Sequence, residues 1–414
     1  MKILFLIPHI FIPENSGNKQ LIANLLRHVT KYVDCDLCIM VDKLDDRSVE
    51  LSKINSSLPQ VKKVFFFNQP SGFYRKVYRL KALLSGYPMS IGNYQSNKLS
   101  KWLLNSNIKQ YDVVHLDMLY MAQYHKHCHE IPSLLVPSDA YSLSAKLVRK
   151  AVKSYTEKIR MMVYYLLIYR YEKNTYRKID IICSVAEKDT RYLSKFINGP
   201  KFKTVGVAVG EDILQLSLQR LKSDSCKPCN LLYIGPVSQE GAAAGLEFFI
   251  KKSFFNICES FPNIRLYIVG HTPVPSLKKL IDTNEKIIHI DFVDDYFGFF
   301  NNDWVYVHPQ RTNAGFQTKV QQAMAIALPV VGYNLAFTGM AIENHVHCYV
   351  CDSMNEFTDS IISLIGEPIL REKIGFMARE LMQNQYSVES IGSEYIKCYK
   401  LLEQTNKYEK YTYK

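Results

Sequence analysis

At 414 residues the chain exceeds what one hydrophobic core usually organises, so two domains are expected. Apolar residues make up 47% and charged residues 22%, which excludes a disordered chain and leaves material for two cores. The net charge of +12 favours an anionic partner, whether a phosphate ligand, nucleic acid or an acidic membrane surface.

The first residues, MKILFLIPHIF, carry a short apolar run before Pro8 and no small-residue cleavage site. They read as a buried first strand rather than a signal peptide. Further strands are expected at CDLCIMV, KVFFF, DVVHL, SLLVP, DIICS and KTVGV, separated by helical patterns such as NKQLIANLLRHVTKYV. A polar segment, LKSDSCKPCN, then separates this series from a second one: NLLYIG, IRLYIVG, KIIHID, WVYVHP and LPVVGY. Strand and helix in alternation imply parallel sheets covered on both faces, hence an α/β protein with two doubly wound domains. The expected domains are 1–210 and 228–385, with the boundary near 206–229. A last helix, 387–403, is followed by a polar tail, TNKYEKYTYK, expected to fray. The longest later apolar run, MMVYYLLIY (161–169), is about half the length of a spanning helix.

Ten cysteines include the pairs Cys35/Cys38, Cys226/Cys229 and Cys348/Cys351. The first and last fall in strand-like runs, where alternate side chains face opposite ways. CKPC at 226–229 has loop character but is a weak metal candidate. In HKHCHE (125–130), the histidines alternate rather than recur at i and i+4, which favours a solvated loop.

In open parallel sheets, ligands bind beyond the carboxyl ends of the strands. After KILFLI, Ser16 or Asn18 can cap a helix beginning near Lys19, and Gly17 permits a tight turn. Free amides there would suit an anion or a sugar hydroxyl. The later strand ends bring Gly235, Gly270 with His271 at the rim, FVDD, and TNAGFQTKVQQAMAIALPVVGY (312–333) towards one crevice. In that last stretch Gly315 permits close approach of a ligand, and the helix beyond it presents backbone amides to a phosphate. Lys319 and Gln322, three residues apart, share a helix face. Lys319 can neutralise a diphosphate while Gln322 reaches a hydroxyl pair.

GFQTKVQQAMAIALPVV resembles the signature of glycosyltransferase family 4, written G-x-x-x-K-x-x-E-A-M-A-x-G-x-P-V-V. Gly315, Lys319, Ala323, Met324, Ala325, Pro329, Val330 and Val331 stand where the pattern expects them. LLYIGPVSQEGAAAGLEFFI, FPNIRLYIVG, DFVDD and VHPQRTNAG are similar, in order, to the family's donor domain, and YEKNTYRKIDIICSVAEKDTRYL and LLVPSDAYSL to its first half. Gln322 replaces the usual glutamate, Ala327 the usual glycine, and Ala314 stands where an E-x7-E pair would need an acid.

The resemblance implies the GT-B fold: two Rossmann-like domains facing across a cleft, with the final helix crossing back to the first. It implies retaining transfer of a sugar from a nucleotide-diphosphate donor to a lipid-linked or saccharide acceptor of a bacterial surface polysaccharide. No metal or other cofactor is implied. The leaving diphosphate would be stabilised electrostatically. The donor set would comprise Gly235, Pro236, Gly270, His271, Val293, His308, Gly315, Phe316, Lys319 and Gln322, with Val293 against the nucleobase. Ser16, Gly17, His115 and Asp139 would meet the acceptor, and Lys319, Gln322 and Asp139 would carry the chemistry.

The basic, tyrosine-rich stretches 146–178 and 74–84 suit an anionic lipid interface, which implies a cytoplasmic enzyme peripheral at the inner face of the membrane. A sugar-nucleotide epimerase, a catalytically weak relative acting as a binding protein, and a nucleic-acid-binding protein are the competing readings. No nucleic-acid-binding motif supports the last.

Overall fold

The computed structural model describes residues 1–14, 16–42, 47–152, 154–220, 229–293, 299–300, 303–311 and 315–412. Cys226 of the CKPC pair lies outside them. The chain divides into two compact units, Met1–Ala208 with Val388–Lys414, and Val209–Ser387.

The first unit is built on a seven-stranded sheet, β1 (Lys2–Ile7), β2 (Asp34–Val41), β3 (Lys63–Asn68), β4 (Val113–Asp117), β5 (Ser133–Val136), β6 (Ile181–Ser184) and β7 (Lys201–Thr204), in the order β3-β2-β1-β4-β5-β6-β7. The second has six strands: β8 (Asn230–Ile234), β9 (Leu266–Val269), β10 (Ile287–Ile290), β11 (Trp304–His308), β12 (Val330–Tyr333) and β13 (Tyr349–Cys351), in the order β10-β9-β8-β11-β12-β13. Every described strand pairing is parallel. Parallel strands covered on both faces read as unbroken apolar runs, which is why β1, β2, β4 and β11 are almost wholly buried. The order reverses between β1 and β4, and again between β8 and β11. These switch points are where a doubly wound sheet opens a crevice.

Two elements depart from expectation. The seventh strand is KFKT rather than KTVGV. It is a partly exposed edge strand, and the valines that follow it, Val205 and Val207, are buried outside the ladder. The last helix runs Val388–Thr412, so the tail expected to fray continues the helix.

That helix packs on helix Gly17–Val29 of the same unit. The approach is close: a Cβ on Gly392 would lie 2.4 Å from the His28 ring. Deeper in, His115 Nδ1 shares a 2.7 Å hydrogen bond with Tyr399 Oη. The His115 ring stacks on Phe5 with centroids 4.6 Å apart.

The stretch read as membrane-facing forms helices Tyr141–Ala151 and Tyr155–Tyr176, which pack against each other. Tyr155, Ile159, Met162, Val163 and Leu166 recur along one stripe of the second helix and are exposed. Lys158 and Arg160 are exposed beside them. No helix among the described residues is long and apolar enough to cross a membrane.

Candidate active site

The second sheet's switch point sets the ends of β8 and β11 side by side. Tyr233 lies fully buried near the end of β8, and Gln310 Nε2 donates to its hydroxyl at 2.6 Å. Tyr306 Oη donates to the Ile234 carbonyl at 2.9 Å. Gly235 and Pro236 follow immediately. Gly270, at the end of neighbouring β9, has no room for a side chain, since a Cβ there would lie 2.2 Å from the Gly235 carbonyl oxygen. Gly270 therefore answers first to the close approach of two strand ends, and Gly235 to the Tyr233 hydroxyl, which would lie 2.5 Å from a Cβ built there. His308 closes β11 fully enclosed, and burial lowers its pKa to about 4. Its Nδ1 has no hydrogen-bond partner among the described residues. A neutral imidazole results.

Beyond β11, the backbone reaches helix Thr318–Ala325 by way of Gly315 and Phe316, both half-buried. The N-cap, Gln317, makes no side-chain capping bond. Its Nε2 donates instead to the Gly315 carbonyl at 2.9 Å. No acidic side chain occupies the first turn. The helix's own first turn therefore supplies no carboxylate to the positive end of its dipole.

Lys319 Nζ donates to Gln322 Oε1 at 3.1 Å. Both side chains line a small hollow with Ile213, Ile234, Phe300, Ala323 and Ile326. Lys319 as a whole is solvent-exposed, yet these apolar neighbours desolvate its ammonium and lower its pKa from the ordinary lysine value.

The helix ends in a Schellman motif, with Ala327 N donating to the Met324 carbonyl and Leu328 N to the Ala323 carbonyl, at 3.1 and 3.0 Å. The motif requires a left-handed residue, and Ala327 takes it at φ 59°. The departure from glycine noted in the sequence therefore sits at a conformation that glycine adopts at least cost.

At the rim of the same sheet, His271 is exposed with Nδ1 4.0 Å from Asp291 Oδ1. His289 Nε2 donates to the Gly270 carbonyl at 2.8 Å. Val293 is buried.

In the first unit, Ser16 is the N-cap of helix Gly17–Val29 but makes no side-chain capping bond. Gly17 is the first residue of that helix and has no left-handed φ. Asp139 follows β5, and burial raises its pKa while Lys188 opposes the rise. His115 is completely enclosed, and burial lowers its pKa to about 3. No hydrogen bond joins Ser16, Gly17, His115 and Asp139 to one another among the described residues.

One group escaped notice in the sequence. Asp117 ends β4 with 2% exposure, its Oδ2 has no partner among the described residues, and burial raises its pKa to about 8. The next residue, Met118, is left-handed at φ 58°, as is Ser138 beyond β5 at φ 69°. Non-glycine residues rarely hold such angles unless their surroundings impose them. The only sequence signal was an acid closing an apolar strand.

The first half of HKHCHE ends the 3-10 helix Ala122–His127 and the second half is bend and turn, and His125 is buried rather than solvated. The paired cysteines Cys35/Cys38 and Cys348/Cys351 are buried free thiols. Among the described residues, no group of three or more His, Cys, Asp or Glu could hold a metal ion.

Residues 228–367 match the family model described as Glycosyl transferases group 1. The match spans about a third of the chain and most of its second unit. The capsular polysaccharide biosynthesis glycosyltransferase CapM of Staphylococcus aureus is 25% identical over 150 residues, a match spanning 34% of this chain and 39% of that protein. Sucrose-phosphate synthase from Thermosynechococcus elongatus shares the fold at a TM-score of 0.65 and 13% identity, over 97% of this chain and 99% of its own. The Anabaena protein HepE, solved in complex with UDP, gives 0.62 and 12%, over 96% and 99%. The pneumococcal O-GlcNAc transferase GtfA, in complex with UDP and GlcNAc, gives 0.62 and 12%, over 97% and 99%. These likenesses bear out the GT-B expectation of two Rossmann-like units. Within the residues matched by that family model lie Lys319, Gln322 and the Schellman turn at Ala327.

Proposed function

We propose that the protein transfers a hexosyl group, with retention, from a nucleotide-diphosphate sugar to a saccharide or lipid-linked acceptor of a bacterial surface polysaccharide. The observation that carries the reading is the first turn of helix Thr318–Ala325, which has no side-chain cap and no acid and which holds the Lys319 ammonium. Backbone amides and one cation are the groups that stabilise charge growing on a leaving diphosphate. The UDP bound by HepE and the sugar bound by GtfA support the choice of ligand class, and the CapM likeness supports the polysaccharide.

In this reading, Lys319 binds the diphosphate and Gln322 orients Lys319 and a donor hydroxyl. Gly235 and Pro236 bring backbone near the phosphates, Val293 lies against the nucleobase, and Asp139 binds an acceptor hydroxyl. Desolvation favours a lysine that gains an anion, because the ligand restores the stabilisation that water no longer supplies. The exposed apolar and basic stripe of helix Tyr155–Tyr176 would seat the protein on an anionic membrane at its cytoplasmic face.

Gln322 favours one second reading, a weakly active relative that binds the donor. The deciding experiment incubates the protein with a panel of labelled nucleotide-sugars and membrane acceptor, alongside Lys319→Ala. Transfer that vanishes in the variant supports catalysis. Nucleotide binding with no transfer from any donor selects the weak relative, and binding of polynucleotide but no nucleotide-sugar abandons both readings.

A further inference from the structure

One cavity of the first unit lies away from the strand ends that carry Asp117 and Asp139. It has a volume of about 530 Å³. Its walls come from the end of helix Gly72–Leu84, the 3-10 helix Ala122–His127 and the end of helix Tyr155–Tyr176. Lys126 precedes β5 and Lys178 precedes β6, so the cavity opens at the entry edge of the sheet, where the strands begin.

Its lining has a consistent chemistry. Lys81, Lys126 and Lys178 line it, and no Asp or Glu does. None of the three lysines makes an ion pair among the described residues, although Lys81 Nζ sits 5.8 Å from the centre of the Tyr78 ring. A fourth cation stands close by, since the Arg170 guanidinium would lie 3.0 Å from a Cβ built on left-handed Gly86. Gln95, Asn174, Ser85 and Thr175 add neutral hydrogen-bonding groups.

The cavity is also fixed in shape. Gln123 Nε2 donates to the Ile91, Tyr94 and Tyr120 carbonyls, and Tyr171 Oη donates to the Leu119 carbonyl at 2.9 Å. Tyr87 meets Tyr171 edge-on, with centroids 5.2 Å apart. Cations gathered without a counter-charge around a rigid pocket of amides and hydroxyls are arranged to hold an anion that carries hydroxyl groups of its own.

We propose that this cavity is a second anion site, which takes a phosphorylated polyol such as a phosphoglycerol or phosphosugar group. The phosphate sits among Lys81, Lys126 and Lys178, and the hydroxyls meet the amides of Gln95 and Asn174. The same chemistry occurs free in solution and on lipid head groups. Leu84, which lines the rim and is 79% exposed, stands where a head group's attached chain would leave.

The test is isothermal titration of the full-length protein with glycerol 3-phosphate and with glycerol, alongside co-sedimentation with phosphatidylglycerol and phosphatidylcholine vesicles. The variants are Lys126→Gln/Lys178→Gln and Lys126→Glu/Lys178→Glu, each checked for an unchanged melting temperature. Glycerol 3-phosphate is expected to bind where glycerol does not, and the Gln pair to weaken it about tenfold or more, as when charged hydrogen bonds are lost. Lys319→Ala is expected to leave this binding in place, which separates it from the donor site. Vesicle binding lost in the same pair, without binding of the soluble probe, assigns a lipid source. Equal binding of glycerol and glycerol 3-phosphate, unchanged binding in both variants, or binding of neither glycerol 3-phosphate nor phosphatidylglycerol vesicles by the native protein overturns the proposal.

Discussion

Lys319 reaches forward along its own helix to the amide oxygen of Gln322, 3.1 Å away. A carboxylate at position 322 could make the same bond and add charge. The pairing thus survives the exchange of the family's glutamate for an amide, but its electrostatic strength does not.

Transfer by Lys319→Ala should fall by about a hundredfold or more, the scale of losing one preorganised charge-stabilising donor. Gln322→Glu should raise the Lys319 pKa towards its ordinary value and increase transfer. Initial rates with the active donor read both effects. A Lys319→Ala enzyme as fast as the native one would remove the lysine from the mechanism.

Ala327→Gly should stabilise the second unit by about 1 kcal/mol, because a left-handed alanine costs that much more than glycine. Urea unfolding, followed at a probe within the second unit, measures the difference. The usual gain from alanine, its lower entropy in the unfolded chain, works against the substitution and sets its limit.

Asp117 makes stability depend on pH. Its pKa is raised in the folded state to about 8, so above the ordinary carboxyl range the folded chain holds a proton that the unfolded chain has lost. Its contribution is fully present below pH about 4 and fades as pH rises to about 8. His115, lowered to about 3, acts in the opposite sense, since the unfolded chain binds the extra proton between pH about 3 and about 6.5 and stability therefore rises with pH there. Asp117→Asn should remove the first slope, at most about 1.4 kcal/mol per pH unit, and leave the second. Denaturation midpoints from pH 5 to 8 distinguish the two, and a variant that parallels the native protein across that range would refute the assignment.

Ile159→Glu with Leu166→Glu should abolish co-sedimentation with phosphatidylglycerol vesicles while leaving the melting temperature within about 2 °C of the native value, as exposed substitutions do. Retained sedimentation would locate any membrane contact elsewhere.

Most strands were legible because parallel strands covered on both faces leave short apolar runs between turns. The edges were not. β7 (Lys201–Thr204) alternates lysine with other residues at the surface, so its sequence carries no buried run, and β13 (Tyr349–Cys351) is three residues long. At the site, the glycine and lysine spacing disclosed helix Thr318–Ala325 and its pairing. It could not disclose that His115 is sealed beneath Phe5 and Tyr399, because that burial depends on a helix more than 270 residues further along the chain. Nor could it show Asp117, whose environment comes from elements far apart in sequence.

The helix Val388–Thr412 is made only after the whole of the second unit, yet it supplies Tyr395 and Tyr399 to the interior of the first. Until that helix is made, the nascent first unit presents Phe5 and His115 without their cover. Stalling or truncation before residue 388 should leave that surface available to chaperones and prone to aggregation, so this half of the molecule matures only after its neighbour has been synthesised.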